Sequence, residues 1–420
     1  MAIQIAGTSV GTGVQLASSV RQRYTDMYEE EVYYNRLYDQ LAFAYPDLDQ
    51  ATKAQDTNAI TFHFLSKMDV PTTNISEVVD VTPQALKDAT AAVSKVSRAA
   101  ALQISQQIEL QNFLTNYMAK MTRANAENAA ETIDLLARDA ACQGSLVSRA
   151  AARASLDAGT TSNRLTETRM LGAANRMAQL KAPVFQGIAD NPASKSWAAI
   201  LSPFAFADLR QDTNIVAVGQ YQNASIILNW ELGSYGPYRL LVSPWAKIFY
   251  GAGANGDAAV DTTLAAATTK LDKTLTVAAA THMDNTVDYA WLNIATEETA
   301  NTHYTDNERV WVTGFTGSTA TIVGEGANGG LRFIHAAGET VNNSDSVHTV
   351  VIGGPASLVK VYAPSVGEFG EIVGPKRDGI VDQFWTLGWK WWGGFGRVSE
   401  NRLMRIEVSV ADESWTSPGL

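Results

Sequence analysis

The sequence predicts an α+β chain with several lobes on one scaffold, and three stretches predict it. The 420 residues and 45.2 kDa exceed what a single core usually serves. First, "LQNFLTNYMAKMTRANAENAAETIDLLARDAAC", from Leu110 to Cys142, contains neither Pro nor Gly and repeats its apolar residues at helical spacing. Second, "FWTLGWKWWGGFGRVSENRLMRIEVS", residues 384–409, alternates bulky and small residues as a strand does. Third, residues 251–348 turn rich in Thr, Asn and Gly and carry short β-like runs between turn residues.

Taken in order, residues 1–20 are Gly, Ser and Thr rich and read as an arm that is flexible or draped on a partner. "RYTDMYEEEVYYNRLYDQLAF" places Tyr24, Met27, Tyr28, Tyr34, Leu37, Tyr38 and Leu41 on one helical face, for core packing or for docking on a neighbouring chain. "AITFHFLSKMDVPTTNISEVVDV" alternates on both sides of a Pro-Thr-Thr-Asn turn and predicts an extended hairpin. Its return, "PQALKDATAAVSKVSRAAALQIS", suits helix by its alanines and a half-exposed strand by Ala92, Val93 and Val96. The Leu110–Cys142 stretch follows as a helical beam of roughly 45 to 50 Å at 1.5 Å per residue. "LTETRMLGAANRMAQLKAP" is a second helix stopped by Pro183. "SWAAILSPFAFADLRQD" reads as a buried strand followed by a Pro-started turn or helix, and "YRLLVSPWAKIFY" as a strand. The insertion offers "KTLTVAA", "ERVWVTGF", "TATIVG" and "LRFIHAA" as strands, after which "TVVIGGPASLVKVYAP" resumes the main lobe.

Composition excludes several functions. With 46% hydrophobic and 18% charged residues the chain is a folded one. A net charge of -11 provides no basic field for sequence-independent nucleic-acid binding. The start shows no secretory leader and no long apolar run predicts a membrane span. The lone Cys142 cannot close an intrachain disulfide, fits a reducing cytoplasm and reads as a buried inert thiol.

Chemical motifs fare poorly. Gly7, Ser9 and Gly11 match G-x-S-x-G, but too few residues precede Ser9 to build the sheet that a nucleophile elbow needs. Gly251, Gly253 and Gly256 match G-x-G-x-x-G after a strand, but the Thr-laden sequence beyond lacks the helix of a dinucleotide unit, so a junction is expected. His282, His303, His335 and His348 lie in the insertion near Asp284 and Asp306 without the tight spacing of metal ligands. Glu29, Glu30 and Glu31 read as a solvated face. The expectation is no catalytic, cofactor-binding or metal residue, no cofactor and no enzyme activity.

The tryptophans decide the character of the chain's end. Trp385, Leu387, Trp389, Trp391, Gly393 and Phe395 share one face of a strand; Thr386, Gly388, Lys390, Gly394 and Gly396 share the other, thinner and mixed face, with Phe384 and Trp392 among them. Glycines opposite large rings admit a second backbone at close range, so buried ribs beneath the long helix are expected rather than an open platform for sugars or bases. Ser399, Glu400 and Asn401 predict a turn, with "RLMRIEVSV" returning as the hairpin partner. Beam and hairpin together predict a flat, extended subunit.

Here the sequence resembles the major capsid proteins of tailed double-stranded DNA bacteriophages, whose fold is named after phage HK-ninety-seven. The resemblance lies in "LTETRMLGAANRMAQLKAP" with "SWAAILSPFAFADLRQD", in "GSYGPYRLLVSPWAK" (Gly233, Gly236, Arg239, Pro244), in "VVIGGPAS" and in the closing "DGIVDQFWTLGWKWWGGFGRVSENRLMRIEVS", with its Gly388-Trp389-Lys390 and Glu400-Asn401-Arg402 signatures. It implies an N-terminal arm and helix at 1–50, an extended loop hairpin at 51–108, and a spine helix and peripheral domain at 109–162. An axial domain at 163–250, a β-rich insertion domain at 251–348, and a return through the axial domain to a closing peripheral-domain hairpin at 349–420 complete it. No long charged N-terminal segment resembles a fused scaffold. The implied function is self-assembly into the hexamers and pentamers of an icosahedral shell around double-stranded DNA, which it touches without specificity. Scaffolding, portal and decoration proteins are the implied further partners. No membrane is involved, and the location is the virion after assembly in the host bacterial cytoplasm. Two rivals are an encapsulin-like compartment, which shares the fold and carries enzyme cargo, and a carbohydrate-binding surface protein. A nucleotide-dependent enzyme would rest on Gly251, Gly253 and Gly256 alone.

Overall fold

The computed structural model describes residues 37–46, 58–65, 68, 70, 72, 83, 85, 87–105, 117–185, 196–212, 234–235, 237–254, 261–279, 291–294, 307–324, 326–378, 383–397 and 399–411. The chain divides into two compact units, Met1–Ala140 with Ser357–Val398, and Ala141–Ala356 with Ser399–Leu420.

In the first unit the predicted beam is a helix at Tyr117–Cys142, 26 residues and so about 39 Å long; residues 110–116 of the predicted stretch lie outside the described ones. Its buried face is built from small residues. Met121, Ala126, Ala129, Ala130 and Ile133 pack against Ile104, Ile372, Leu387, Trp389 and Trp391. Alanines leave room for indoles at the contact, so the helix and the tryptophan strand are complementary in volume.

That strand, Phe384–Gly396, is the centre of a five-stranded sheet. Residues 384–393 pair antiparallel with Val96–Ser105 on one edge. The other edge is shared by Glu371–Asp378 and Leu358–Tyr362, with Ala42–Pro46 parallel to the latter. The open choice at residues 87–105 falls to strand: Asp88–Ser94 and Val96–Ser105 are both extended. Thirteen residues of tryptophan strand offer a ladder partner, which outweighs the helix preference of the alanines. Asp88–Ser94 pairs with Ala59–Leu65; the return strand expected directly after the Pro-Thr-Thr-Asn turn, residues 75–81, lies outside the described residues, as does that turn except for Thr72.

Two expectations in this unit are corrected. Of the expected aromatic helix, residues 23–36 lie outside the described ones; its expected end is instead a single 3-10 turn, Tyr38–Leu41, and Ala42–Pro46 is already a strand. Ladder pairing with Leu358–Tyr362 captures these residues. Nor does Leu403–Val408 return against the tryptophan strand. It pairs with Val347–Gly353 in a different sheet, while the tryptophan strand makes its hairpin with the preceding Glu371–Asp378. Both edges of the tryptophan strand are already taken, so a returning strand finds no free ladder there.

The second unit has a seven-stranded sheet centred on Val347–Gly353 and Trp197–Leu201, both buried along their whole length. Helices Glu167–Gln179 and Pro203–Gln211 cover it, and Met170, Met177, Phe206 and Leu209 meet Trp197, Leu201, Val350 and Ile406 in one core. The Ser202 hydroxyl accepts from the Ala205 amide (3.2 Å) and Pro203 occupies the first turn, which fixes where the second helix starts. "YRLLVSPWAKIFY" is not one strand. Tyr238–Val242 joins Trp197–Leu201, whereas Ile248–Phe249 joins Val347–Gly353, because Pro244 between them has no amide to donate.

Within residues 261–342 six strands form one sheet. A bridge between Leu264 and Val277, with Ala265 N–H to Thr276 O and Ala278 N–H to Thr263 O (both 2.8 Å), joins its first strand to its last. The sheet is thus a closed barrel around Leu275, Leu292, Ile294, Val310, Ile322 and Val341, and closure removes the open edges that invite aggregation. "LRFIHAA" forms no strand, contrary to its apolar pattern. The amides of Arg332 and Phe333 go to the Glu308 carboxylate, and only His335 bridges to Thr268.

Candidate functional site

The residues with the strongest claim to function are the extended strands of the first unit and the charged groups that lock each unit. Trp391 is fully buried and Trp389 nearly so (3% exposed), while Trp385 and Trp392 are half-buried. The Trp391 indole donates to Glu368 O (3.1 Å) and Trp389 to Asn128 Oδ1 (3.1 Å). Removing one such ring from water contributes on the order of 4 kcal/mol. The rings are therefore ribs, and no indole platform exists on this strand. The glycines opposite them work by proximity: a Cβ at Gly394 would run into the Ser94 carbonyl, and one at Gly396 into the Val93 side chain.

What this unit leaves exposed is backbone and aliphatic surface. Val96–Ser105 is exposed at eight successive positions, on both of its faces. Among the described residues its ladder partner is the tryptophan strand, on one edge. Leu102 (41%), Val96 (44%), Phe43 (56%), Met68 (67%) and Val70 (82%) present apolar side chains to solvent. An exposed strand edge beside aliphatic side chains is the feature that strand addition and subunit contact use.

Three ionic devices hold these elements. The Asp134 Oδ1 accepts from the amides of Leu37 (2.9 Å), Tyr38 (2.7 Å) and Asp39 (3.1 Å), pinning the start of the Ala42–Pro46 segment to the long helix. Burial pushes its carboxyl up to about 6, against the pull of those three donors. Lys360, 1% exposed, pairs with Asp39 (3.1 Å) and Glu368 (3.4 Å). In the second unit Glu407 is held by Arg153 (2.6 Å), Arg405 (2.9 Å) and Arg149 (3.4 Å). Burial would raise its carboxyl, but the Arg153 hydrogen bond and the three guanidinium charges hold it below the ordinary carboxylate range.

None of these charged residues stood out in the sequence, because each has at least one partner far away in the chain, as Asp134 with Leu37, Lys360 with Asp39 and Glu407 with Arg153. The motifs that did stand out sit elsewhere. Gly7, Ser9, Gly11, Glu29, Glu30, Glu31, Gly256, His282, Asp284, His303 and Asp306 lie outside the described residues. The amides around Gly251 and Gly253 serve the chain itself: Ala252 donates to Phe249, Gly253 to Asp345 (2.8 Å) and Ala254 to Leu156 (2.9 Å). A phosphate loop would need them free. His348 is buried against Phe204 and hydrogen-bonds the Ser202 hydroxyl (2.9 Å); His335 lies between two glutamates. Among the described residues no three His, Cys, Asp or Glu side chains gather to hold a metal ion, and no helix is long and apolar enough to cross a membrane. Cys142 is buried.

No protein-family model matches the chain, and no curated protein does. Solved structures do. One is titled as the capsid asymmetric unit of cyanophage Pam1: identity is 12%, 98% of this chain and 99% of that chain are covered, and the TM-score is 0.50. A second, the capsid of Ralstonia phage GP4, shows 10% identity over 90% of this chain and 93% of that one, also at TM-score 0.50. Likeness at this identity speaks for the fold, and it spans the helix, the tryptophan strand, the second unit's sheet and the barrel together. The chain has the fold of phage major capsid proteins, the HK-ninety-seven type that its sequence resembles.

Proposed function

We propose that this chain is the major coat protein of a tailed bacteriophage shell, with a structural rather than catalytic role. The observation that carries the reading is the end-to-end match in fold to a phage capsid protein, 98% of one chain on 99% of the other. The exposed strand Val96–Ser105, paired along one edge among the described residues, supports it, because identical subunits that share edges close into rings. In this reading residues 1–50 are the arm and its helix, 51–108 the extended loop, and 109–162 the spine and peripheral domain. Residues 163–250 are the axial domain, 251–348 the insertion, and 349–420 the return and close. Arm and loop reach neighbouring copies, so many modest contacts add up to a stable particle. The net charge of -11 suits a container that holds double-stranded DNA without gripping it, leaving counterions to balance the phosphates. Scaffolding, portal and decoration proteins would complete the virion, assembled in the host cytoplasm.

The test is to express the full chain and measure its mass by light scattering alongside negative-stain microscopy. Rings of five or six copies, or closed shells, are expected. Monodisperse monomers at tens of micromolar, with or without added scaffolding protein, would overturn the reading. Replacing residues 66–87 by a two-residue turn keeps the Ala59–Leu65 and Asp88–Ser94 pair but removes the tip with Met68 and Val70. That variant is expected to fold and to fail at shell formation.

A further inference from the structure

We propose that His335, Glu308 and Glu339 form a proton-controlled latch that holds residues 332–336 onto the barrel while the imidazole is charged and releases them in alkaline medium. The proposal stands whether or not the shell reading does. His335 is fully buried. Its Nε2 lies 2.7 Å from Glu308 Oε1 and its Nδ1 2.9 Å from Glu339 Oε2. A neutral imidazole has one N–H and one bare lone pair, so either tautomer would set a lone pair against an ionised carboxylate at hydrogen-bond distance. With both carboxylates ionised, only the imidazolium satisfies both contacts.

The same two carboxylates carry the segment. Glu308, the first residue of the barrel strand Glu308–Thr316, also accepts from the amides of Arg332 (3.0 Å) and Phe333 (3.2 Å). Glu339, just before Thr340–Asn342, accepts through Oε1 from the Ala336 amide (2.8 Å). From residues 261–279, Thr268 accepts from the His335 amide through its hydroxyl (3.3 Å) and donates its own amide to His335 O (2.9 Å). Within the segment, the Arg332 guanidinium lies over the rings of Trp245 (4.3 Å) and Phe333 (5.0 Å). Glu308 and Glu339 are the charged groups facing the imidazole from the packed elements, among the described residues. The latched segment presents Ile334, 61% exposed, so what the latch governs is a surface.

Burial by itself disfavours the charged ring, but the hydrogen bonds and charges of Glu308 and Glu339 outweigh it and lift His335 above its ordinary value. The folded chain then binds this proton more tightly than the unfolded one. The latch is intact below the ordinary histidine pKa of about 6.5 and is lost as pH rises through the lifted value.

The experiment is amide hydrogen exchange of the full chain from about pH 6 to about pH 10, corrected for intrinsic base catalysis, on the wild type and on Glu339→Gln. Wild-type protection of residues 332–336 is expected to fall by roughly tenfold per pH unit above the lifted value. In Glu339→Gln the carboxamide donates to the bare Nδ1 of a neutral ring, so protection should stay flat. Constant wild-type protection, or the same fall in both proteins, would overturn the latch. Should the variant fail to fold, the wild-type imidazole can be followed by NMR: titration at or below about 6.5 defeats the proposal, and titration well above it supports it.

Discussion

Gly394 carries no Cβ because the chain passes it at contact distance, the Ser94 carbonyl standing where that carbon would be. Gly394→Ala is expected to destabilise the first unit by about 1 to 3 kcal/mol, since either the crossing backbone or the tryptophan strand must move. Gly314, with nothing within 4 Å of its virtual Cβ, is the matched control: Gly314→Ala should change stability by no more than about 0.5 kcal/mol. Urea unfolding of the two variants distinguishes them, and equal losses would count against the close-approach account. At Glu407 the issue is charge. Glu407→Gln leaves Arg153 and Arg405 buried beside a neutral group and is expected to cost about 3 to 5 kcal/mol. Because the folded carboxyl sits below its ordinary range, its contribution is present at neutral pH and lost as pH falls through the lowered value. The variant should therefore lack that acid-side component in a melting-temperature profile. The spacing of tryptophans and glycines made the ribs legible from sequence; nothing local marks Glu407, whose partners include Arg149 and Arg153 some 250 residues away.

At the scale of elements, Asp134 ties a turn to a helix. Asp134→Ala strands three amides and is expected to cost about 1 to 3 kcal/mol, with faster hydrogen exchange at Leu37, Tyr38 and Asp39. The wild-type carboxyl titrates at about 6 when folded against about 3.9 when unfolded, so its contribution to stability declines as pH rises across that interval and is level above it. A stability profile rising with pH there specifically through Asp134, removed by Asp134→Ala, would contradict this. The long helix was legible because an unbroken run without Pro or Gly leaves few alternatives. Val96–Ser105 stayed ambiguous because alanine suits both states, and the choice was made by a neighbouring ladder. "LRFIHAA" misled because apolar alternation cannot reveal that a distant carboxylate takes the amides a strand would need.

For the whole molecule, assembly is the decisive measurement, with rings or shells expected and lone monomers the contrary outcome. The sequence by itself determined the α+β class, the long helix and the buried indoles, which follow from short-range periodicity and composition, while its likeness to coat proteins is a resemblance carried by particular segments such as "VVIGGPAS" and the closing tryptophan stretch. Only the tertiary structure decided which strands pair: Leu403–Val408 with Val347–Gly353 rather than with the tryptophan strand, and Leu264 with Val277 to close the barrel. It also decided which charges meet, as at His335 between Glu308 and Glu339. Period and propensity act over a few residues and can be read along the chain. Pairing and ion contact depend on which edges and carboxylates remain free once distant segments have packed, and that competition is settled only in the folded state.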